Sequence, residues 1–144
     1  MPDPSVEQLE QRIVAFVRAF GLHRPDETPC GGALPVSEAH ALAVLRSHGA
    51  ITQTELSREL ALTKSTVSRL VDQLERHGWV RRQASKDDAR RRLVELTTEG
   101  SKVAKEVARR RGERLSGLLE HIPEAERPAV LAALDSLVEA ARAT

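Results

Sequence analysis

The chain has 144 residues, and its 22 Lys and Arg against 21 Asp and Glu leave a net charge of only +1. This length predicts one domain, and a hydrophobic share of 40% suffices for a core of Leu, Val and Ala, since aromatic residues are few. The single Cys excludes an intramolecular disulfide, and no apolar run or signal-peptide pattern suggests a membrane span or export. We therefore expect a cytoplasmic protein with no membrane partner.

The N-terminal third is predicted to contain two helices joined by a loop. Apolar residues at helical spacing predict a first helix over residues 5–20, with Ser5 as its N-cap and Met1–Pro4 disordered. Residues 23–35 contain three Pro and two Gly, which predict a loop. A second helix is predicted to begin after Ser37, its N-cap, and to end at Gly49.

The middle of the chain is predicted to hold a brief strand and two more helices. Residues 50–52 form the strand, and Thr52 then caps a helix over residues 53–60 in a capping box with Glu55. Thr63 caps the next helix, which begins at Lys64 and stops before Gly78. Its apolar face is formed by Val67, Leu70, Val71 and Leu74, so its opposite face is polar.

A basic hairpin, here called the wing, is predicted to follow that helix. Residues 80–83 and 93–96 are its strands, and the residues between them are polar and charged. From Lys64 to Arg92 there are nine Lys and Arg against four Asp and Glu, a net charge of +5, whereas the rest of the chain sums to −4. This segregation of charge favours a DNA-binding surface over a merely solvated helix face.

Two helices are predicted after the wing. Thr97 or Thr98 caps a long helix to about Glu120, in which Gly112 indicates a bend or a close helix contact. Pro123 breaks the chain, and a last helix runs to about Ala141, with its start near Glu126 because Pro128 would be unfavourable deep inside it.

The residues of the fourth helix and the wing resemble the MarR (multiple antibiotic resistance regulator) family. The helix carries Leu62-Thr-x-Ser-x-Val-Ser-Arg-Leu-Val-Asp-x-Leu-Glu-x-x-Gly-Trp-Val80, and the wing carries Ser85-x-x-Asp88-Ala-Arg90-x-x-x-Val94-x-Leu96-Thr97-x-x-Gly100. The resemblance implies a mainly α fold with a small β-hairpin, a winged helix-turn-helix with N- and C-terminal dimerisation helices. It further implies a single domain over 1–144, with dimerisation helices at 5–20 and 98–142 and a DNA-binding lobe at 36–97.

The resemblance also implies a function and partners. The expected protein is a homodimeric transcription repressor that binds double-stranded DNA at a pseudo-palindromic operator and is released by a small molecule or an oxidant. In the family the start of the fourth helix enters the major groove and a wing Arg enters the minor groove. That role falls on Arg90, with Asp88 orienting the wing and with Arg91 or Arg92 as alternatives. The expected DNA-binding residues are Lys64, Ser65, Thr66, Ser68, Arg69, Arg76, Lys86, Asp88, Arg90, Arg91 and Arg92.

No catalytic arrangement is apparent, because the five His are scattered and no phosphate-binding loop is present, so neither an enzyme nor a cofactor is predicted. Two other functions stay open. One is a redox- or metal-sensing regulator that uses Cys30, with Cys30, Glu38 and His40 as the only candidate metal ligands, although no metal is predicted. The other is a winged-helix protein-interaction module without DNA binding. The target genes, the operator and the effector do not follow from the sequence; His40, Leu45 and Arg109–Arg111 are guesses for an effector site.

Overall fold

The computed structural model describes residues 3–29, 32–88 and 90–144. It confirms the predicted fold class, because the described residues form six helices and one small sheet. The elements in chain order are α1 Pro4–Phe20, α2 Val36–His48, β1 Ile51–Thr52, α3 Gln53–Leu60, α4 Lys64–Arg76, β2 Val80–Ala84, β3 Arg92–Leu96, α5 Thr98–Glu120, a 3-10 turn Glu124–Glu126 and α6 Arg127–Ala143.

The chain forms two compact units, with the division between Arg111 and Gly112 inside α5. The first unit holds the core, which α2, α3, α4, the sheet and the start of α5 build together. Its fully buried large side chains are Leu42, Leu45, Leu56, Val67, Val71, Leu74, Val80 and Val94. The second unit contains the end of α5, the 3-10 turn and α6, and α6 contains no buried residue.

The sheet has three antiparallel strands in the order β1-β3-β2. The brief first strand, predicted at residues 50–52, pairs with β3 of the wing, with Ile51 opposite Val94. The hairpin register sets Val80 opposite Leu96 and Arg82 opposite Val94. Because side chains alternate between the two faces of a strand, Val80 and Arg82 lie on the same face of β2. Val80 is buried in the core, so Arg82 is also directed toward the helices.

Most of the predicted helix ends are confirmed. Thr52 and Glu55 form the capping box of α3, and Thr63 caps α4 by accepting from the backbone N–H of Thr66. Gly78 has a φ of +78°, which suits glycine just beyond a helix end. Thr97 caps α5, because its Oγ1 accepts from the Gly100 N–H. Pro128 lies in the first turn of α6, as predicted.

Two predicted N-caps are wrong. The carboxylate of Asp3 caps α1 by accepting from the Ser5 N–H at 2.9 Å, so Pro4 is already helical rather than disordered. An acidic side chain is also favoured there by the helix dipole. Ser37 does not cap α2, since that helix begins at Val36 after Pro35 and has no side-chain cap. Pro35 fixes the extended backbone that precedes the helix, so the start needs no hydroxyl.

The close helix contact expected at Gly112 is absent from the described residues. A Cβ built on Gly112 would meet no heavy atom within 4 Å. The close approach occurs instead at Gly100, where a Cβ would lie 1.8 Å from the backbone oxygen of Trp79. The first turn of α5 therefore packs directly on the chain that leaves α4. No helix in the described part of the chain has the length and apolar character needed to cross a membrane.

Candidate nucleic-acid interface

The exposed face of α4 follows from the burial of its opposite face. Val67, Leu70, Val71 and Leu74 are buried in the core at i, i+3, i+4 and i+7. This leaves Lys64, Ser65 and Arg69 exposed, with Thr66 and Ser68 partly buried beside them. The hydroxyl groups at the helix start form one cluster, since Thr63 Oγ1 lies 2.8 Å from Thr66 Oγ1 and 3.3 Å from Ser65 Oγ. The helix thus presents hydroxyl groups and cations at its N-terminal end.

The turn of the wing is held by Asp88. Its Oδ1 accepts from the Arg90 backbone N–H at 2.9 Å, and its backbone oxygen accepts from the Arg91 N–H at 3.0 Å. The Ser85 N–H closes the base of the turn by donating to the Arg91 oxygen at 2.8 Å. Asp88 therefore braces the backbone that carries Arg90, rather than the guanidinium of Arg90.

The three consecutive wing arginines have different surroundings. Arg91 Nη2 is bonded to Glu55 Oε1 at 3.1 Å, and Glu55 belongs to the capping box of α3. Arg90 and Arg92 are exposed, and no side-chain partner for either is found among the described residues. Since Arg91 is bonded to α3, Arg90 and Arg92 are the two of these three arginines that a ligand can reach.

Part of the positive charge between Lys64 and Arg92 is paired with carboxylates. Arg81 is bonded to Glu95 on the neighbouring strand, and Arg82 is bonded to Asp72 and Glu75 of α4. Arg76 is exposed and its Nε is 3.4 Å from the Asp72 backbone oxygen, whereas the Asp72 carboxylate goes to Arg82. The Asp72 carboxylate therefore pairs with the wing and not with Arg76 of its own helix. A count of charges cannot distinguish these cases, although strand alternation from Val80 would have placed Arg82 on the inner face.

The candidate metal ligands are not brought together in the part of the chain that the structure covers. Cys30 lies outside the described residues, and His40 is exposed. Glu38 is only 4% exposed, and its Oε1 lies 3.7 Å from Nε2 of His77. The described residues contain no group of three His, Cys, Asp or Glu suited to a metal ion.

His77 connects the end of α4 to a cavity. Its ring stacks on Trp79 with the centroids 4.3 Å apart, and Trp79 lines a cavity of about 400 Å³ in the first unit. The Arg109 and Arg110 guanidiniums lower the pKa of Glu106, at the cavity wall, to about 2, so that carboxylate stays ionised. Of the guessed effector residues, only Arg110 lines the cavity, and Leu45 is core. The lining is Thr28, Gly32, Ala33, Leu34, Trp79, Lys102, Val103, Glu106, Val107 and Arg110.

The sequence is similar to a family of known proteins over the part that contains this surface. Residues 34–91 match the model of the MarR family. The sequence is 30% identical over 89 residues to the HTH-type transcriptional repressor YetL of Bacillus subtilis (strain 168), a match that covers 62% of this chain and 53% of YetL. The chain spans about half the length of most of the curated relatives that it matches.

The fold is similar to solved structures over nearly its whole length. A MarR family protein from Bacillus stearothermophilus has a TM-score of 0.76 and 25% identity, and the match covers 99% of both chains. MepR of S. aureus, solved in a DNA-binding conformation, has a TM-score of 0.66 and 25% identity, with 94% of this chain and 97% of MepR covered. Both similarities extend well beyond residues 34–91.

Proposed function

We propose that this chain, which belongs to the MarR family, is a homodimeric DNA-binding transcription repressor that a small molecule releases from its operator. The single observation that carries the proposal is that two groups of cationic side chains are exposed on elements that share one hydrophobic core. One is the N-terminal end of α4 with Lys64 and Arg69, and the other is the wing turn with Arg90. A helix of this kind fits the major groove, and an Arg on a narrow hairpin fits the minor groove.

The contacts divide between base edges and phosphates. Arg69 extends from the exposed face of α4, where a guanidinium can bond a guanine through two hydrogen bonds. The neighbouring hydroxyl and ammonium groups can bond base edges or phosphates. They belong to Lys64, Ser65, Thr66 and Ser68. Exposed cations that can contact the phosphate backbone of DNA are Arg76, Lys86 and Arg92. Arg91 is the proposed DNA-binding residue with the weakest support, because Glu55 already holds it.

The proposed domain organisation is a single MarR-type domain over 1–144. Residues 36–97 form its DNA-binding lobe, and residues 5–20 and 98–142 contain the dimerisation helices. Support comes from α1 and α6, neither of which contains a buried residue despite their apolar side chains. A repressor acts on DNA in the cytoplasm, which we propose as the location.

The test is a gel shift with the DNA upstream of the protein's own gene. Wild-type protein should bind this DNA more tightly than a scrambled duplex of the same length. Arg69→Ala should cost about 1–3 kcal/mol of binding free energy on the bound site and relax the preference at one position in each half-site. Arg24→Ala is the matched control, since Arg24 is an exposed loop arginine outside this surface. Equal loss for Arg69→Ala on both duplexes would identify a phosphate contact instead.

The proposed effector site is the cavity beside Trp79. Its volume lies within the range of small-molecule sites, and its walls combine apolar side chains with the charged groups of Lys102, Glu106 and Arg110. Such a lining suits a mainly apolar molecule with one polar end. Trp79 lies in the short segment between α4 and β2, so an occupant would contact the chain that joins the helix assigned to the major groove to the wing.

Trp79 provides the test, because it is the single Trp of the chain. A panel of small aromatic and aliphatic acids, amines and neutral compounds should contain one that changes Trp79 fluorescence and weakens the gel shift over the same concentration range. Val107→Phe narrows the cavity without adding a second Trp and should abolish both effects. A compound that releases DNA without changing Trp79 fluorescence would place the effector site elsewhere.

The two alternatives are less well supported. The exposed cations of α4 and the wing argue against an interaction module without DNA binding, and the similarity to MepR in its DNA-binding conformation favours a DNA-binding protein. A sensor using Cys30 is tested by titrating the thiol and assaying metal in purified protein. Loss of DNA binding on oxidation, absent from Cys30→Ser, would establish it.

A further inference from the structure

Arg82 makes more side-chain contacts between elements than any other residue of the wing that the structure describes. Its Nε donates to Gln53 Oε1 at 2.8 Å, and its Nη1 donates to Glu75 Oε1 at 3.1 Å. Its Nη2 donates to Asp72 Oδ1 at 2.8 Å and lies 3.4 Å from the Ser68 backbone oxygen. One side chain of β2 therefore contacts both α3 and α4.

The direction of this side chain is set by the strand. Val80, two residues earlier on the same face, is 2% exposed in the core, and the Arg82 side chain is 20% exposed. The apolar core ends between these two residues, and the guanidinium fills the space where β2, α3 and α4 converge. Each of its three nitrogens donates within the protein, so Arg82 is not free to contact phosphate.

The first turn of α3 is the common anchor of both sides of the wing. Gln53 holds Arg82 on β2, and Glu55 holds Arg91 just before β3. Gln53 and Glu55 belong to the turn that Thr52 caps, so their positions are fixed by backbone hydrogen bonds. Both sides of the wing are thus bonded to α3, and the β2 side is also bonded to α4 through Arg82.

We propose that Arg82 is a positioning residue for operator recognition, which rests on the function proposed above. It contacts no DNA. It fixes the distance and angle between the exposed face of α4 and the wing turn, so that Arg69 and Arg90 enter their grooves together. It also keeps the carboxylates of Asp72 and Glu75 directed away from the phosphates. The guanidinium reaches Gln53, Glu75 and Asp72 with three separate nitrogens, whereas the single ammonium nitrogen of Lys cannot keep all three contacts.

The test compares Arg82→Lys with Arg81→Lys on two DNA probes. One probe is a duplex selected by the wild-type dimer from a random pool, and the other is a scrambled duplex of the same length and composition. Arg81 is the matched control: it is adjacent, 63% exposed and bonded to a single carboxylate, Glu95, which Lys can also bond. Both substitutions keep the charge, so neither changes the electrostatic attraction to DNA.

The proposal expects Arg82→Lys to lose about tenfold or more in affinity for the selected duplex, with binding to the scrambled duplex unchanged. This is the size of one lost charge-assisted hydrogen bond. Arg81→Lys should stay within about twofold of wild type on both probes, a range that leaves the tenfold effect distinct. Arg82→Lys within twofold of wild type, or with equal loss on both probes, would overturn the proposal.

Asp72→Ala keeps the test decisive if Arg82→Lys does not fold by circular dichroism. This change removes both the negative charge beside DNA and the acceptor for Arg82. A purely electrostatic role predicts tighter binding of the selected duplex, whereas positioning through Arg82 predicts weaker binding. Where both variants fold, the double variant should lose little more affinity than the larger single loss, because the two residues act through one contact. Fully additive losses in binding free energy, or tighter binding by Asp72→Ala, would refute the proposal.

Failure of this inference can be distinguished from failure of the proposed function. If wild-type protein shows no preference for any selected duplex over the scrambled one, sequence-specific binding itself is refuted. If wild type shows the preference and Arg82→Lys keeps it, only the positioning role is refuted.

Discussion

At the scale of the residue, Arg90 and Arg91 show how neighbours in sequence receive different roles. Arg91 has the Glu55 carboxylate within 3.1 Å, whereas Arg90 is exposed at the turn. An ion pair within the chain must be broken before Arg91 can contact DNA. Arg90 meets no such cost, and this favours it for the minor groove, where narrow A-tracts concentrate negative potential.

Arg90→Ala should therefore weaken operator binding and reduce the slope of log affinity against log salt by about one unit. Arg91→Ala should leave that slope nearly unchanged, since its charge is already neutralised by Glu55. Fluorescence anisotropy over a range of salt concentrations measures both. A larger loss of slope for Arg91→Ala would mean that Arg91 leaves Glu55 and enters the groove.

Asp88 acts on the backbone of the wing, so the chemistry of its replacement matters. Asp88→Ala removes the acceptor for the Arg90 N–H and should weaken operator binding, even though it removes a negative charge near DNA. Asp88→Asn keeps an acceptor oxygen at the same place and should bind at least as tightly as wild type. Asp87→Ala is the charge-matched control. If Asp88→Ala binds more tightly in a folded dimer, Asp88 does not brace the wing.

Ser57 is a buried residue whose hydroxyl has no hydrogen-bond partner in the described structure. Leaving a hydroxyl buried and unpaired costs about 1–3 kcal/mol. Ser57→Ala should therefore keep or raise the free energy of unfolding, by up to about 1 kcal/mol. Urea denaturation measures it, with Ser101→Ala on an exposed helix position as the control for helix propensity. A clear loss of stability would show that the hydroxyl is bonded in solution.

At the scale of the element, α5 contains glycines with opposite roles. Gly100 allows the first turn of the helix to pack on the Trp79 backbone. The Thr97 hydroxyl stabilises the same contact by donating to the Gly78 backbone oxygen at 2.6 Å. Gly112 lies in mid-helix with open space where a Cβ would be. The sequence does not distinguish these two glycines, because it does not show which residues of other elements lie beside each of them.

Gly100→Ala should lower the free energy of unfolding by about 1–3 kcal/mol through overpacking. Gly112→Ala should raise it by up to about 1 kcal/mol, since alanine is the better helix former. Thermal or urea unfolding at one protein concentration compares the two variants on the same helix. A loss of stability for Gly112→Ala would indicate that a second copy of the chain packs closely there.

At the scale of the whole molecule, the exposed apolar side chains call for a partner. Leu9 and Phe16 of α1 are 48% and 47% exposed, and Leu131 and Leu134 of α6 are 59% and 48% exposed. Large apolar surfaces of this kind mark sites of association. A symmetric dimer would cover them and would also present two copies of α4 to DNA.

Light scattering at micromolar concentration should accordingly give twice the chain mass of 15.8 kDa. Leu134→Glu should shift the protein toward monomer and weaken operator binding, whereas the adjacent Asp135→Asn should not. A footprint on the bound DNA should show two half-sites about 10 bp apart, because two recognition helices must reach successive major grooves. A stable folded monomer of wild type, or protection of one unpaired half-site, would contradict the dimer.

The local elements were determined by the sequence itself, because their signals are local. The Thr52–Glu55 capping box, the Thr63 cap, the apolar face of α4 and Gly78 after it depend on residues within one or two turns, and all were predicted. The tertiary structure alone decided which carboxylate each of two wing arginines meets. Glu55 meets Arg91 and Asp72 meets Arg82 across 36 and 10 positions of the chain, and the close approach of Gly100 to Trp79 is likewise a contact between elements. Such pairs depend on how the strands of the wing pack against α3 and α4, and a charge count or a helical period contains no information about that packing.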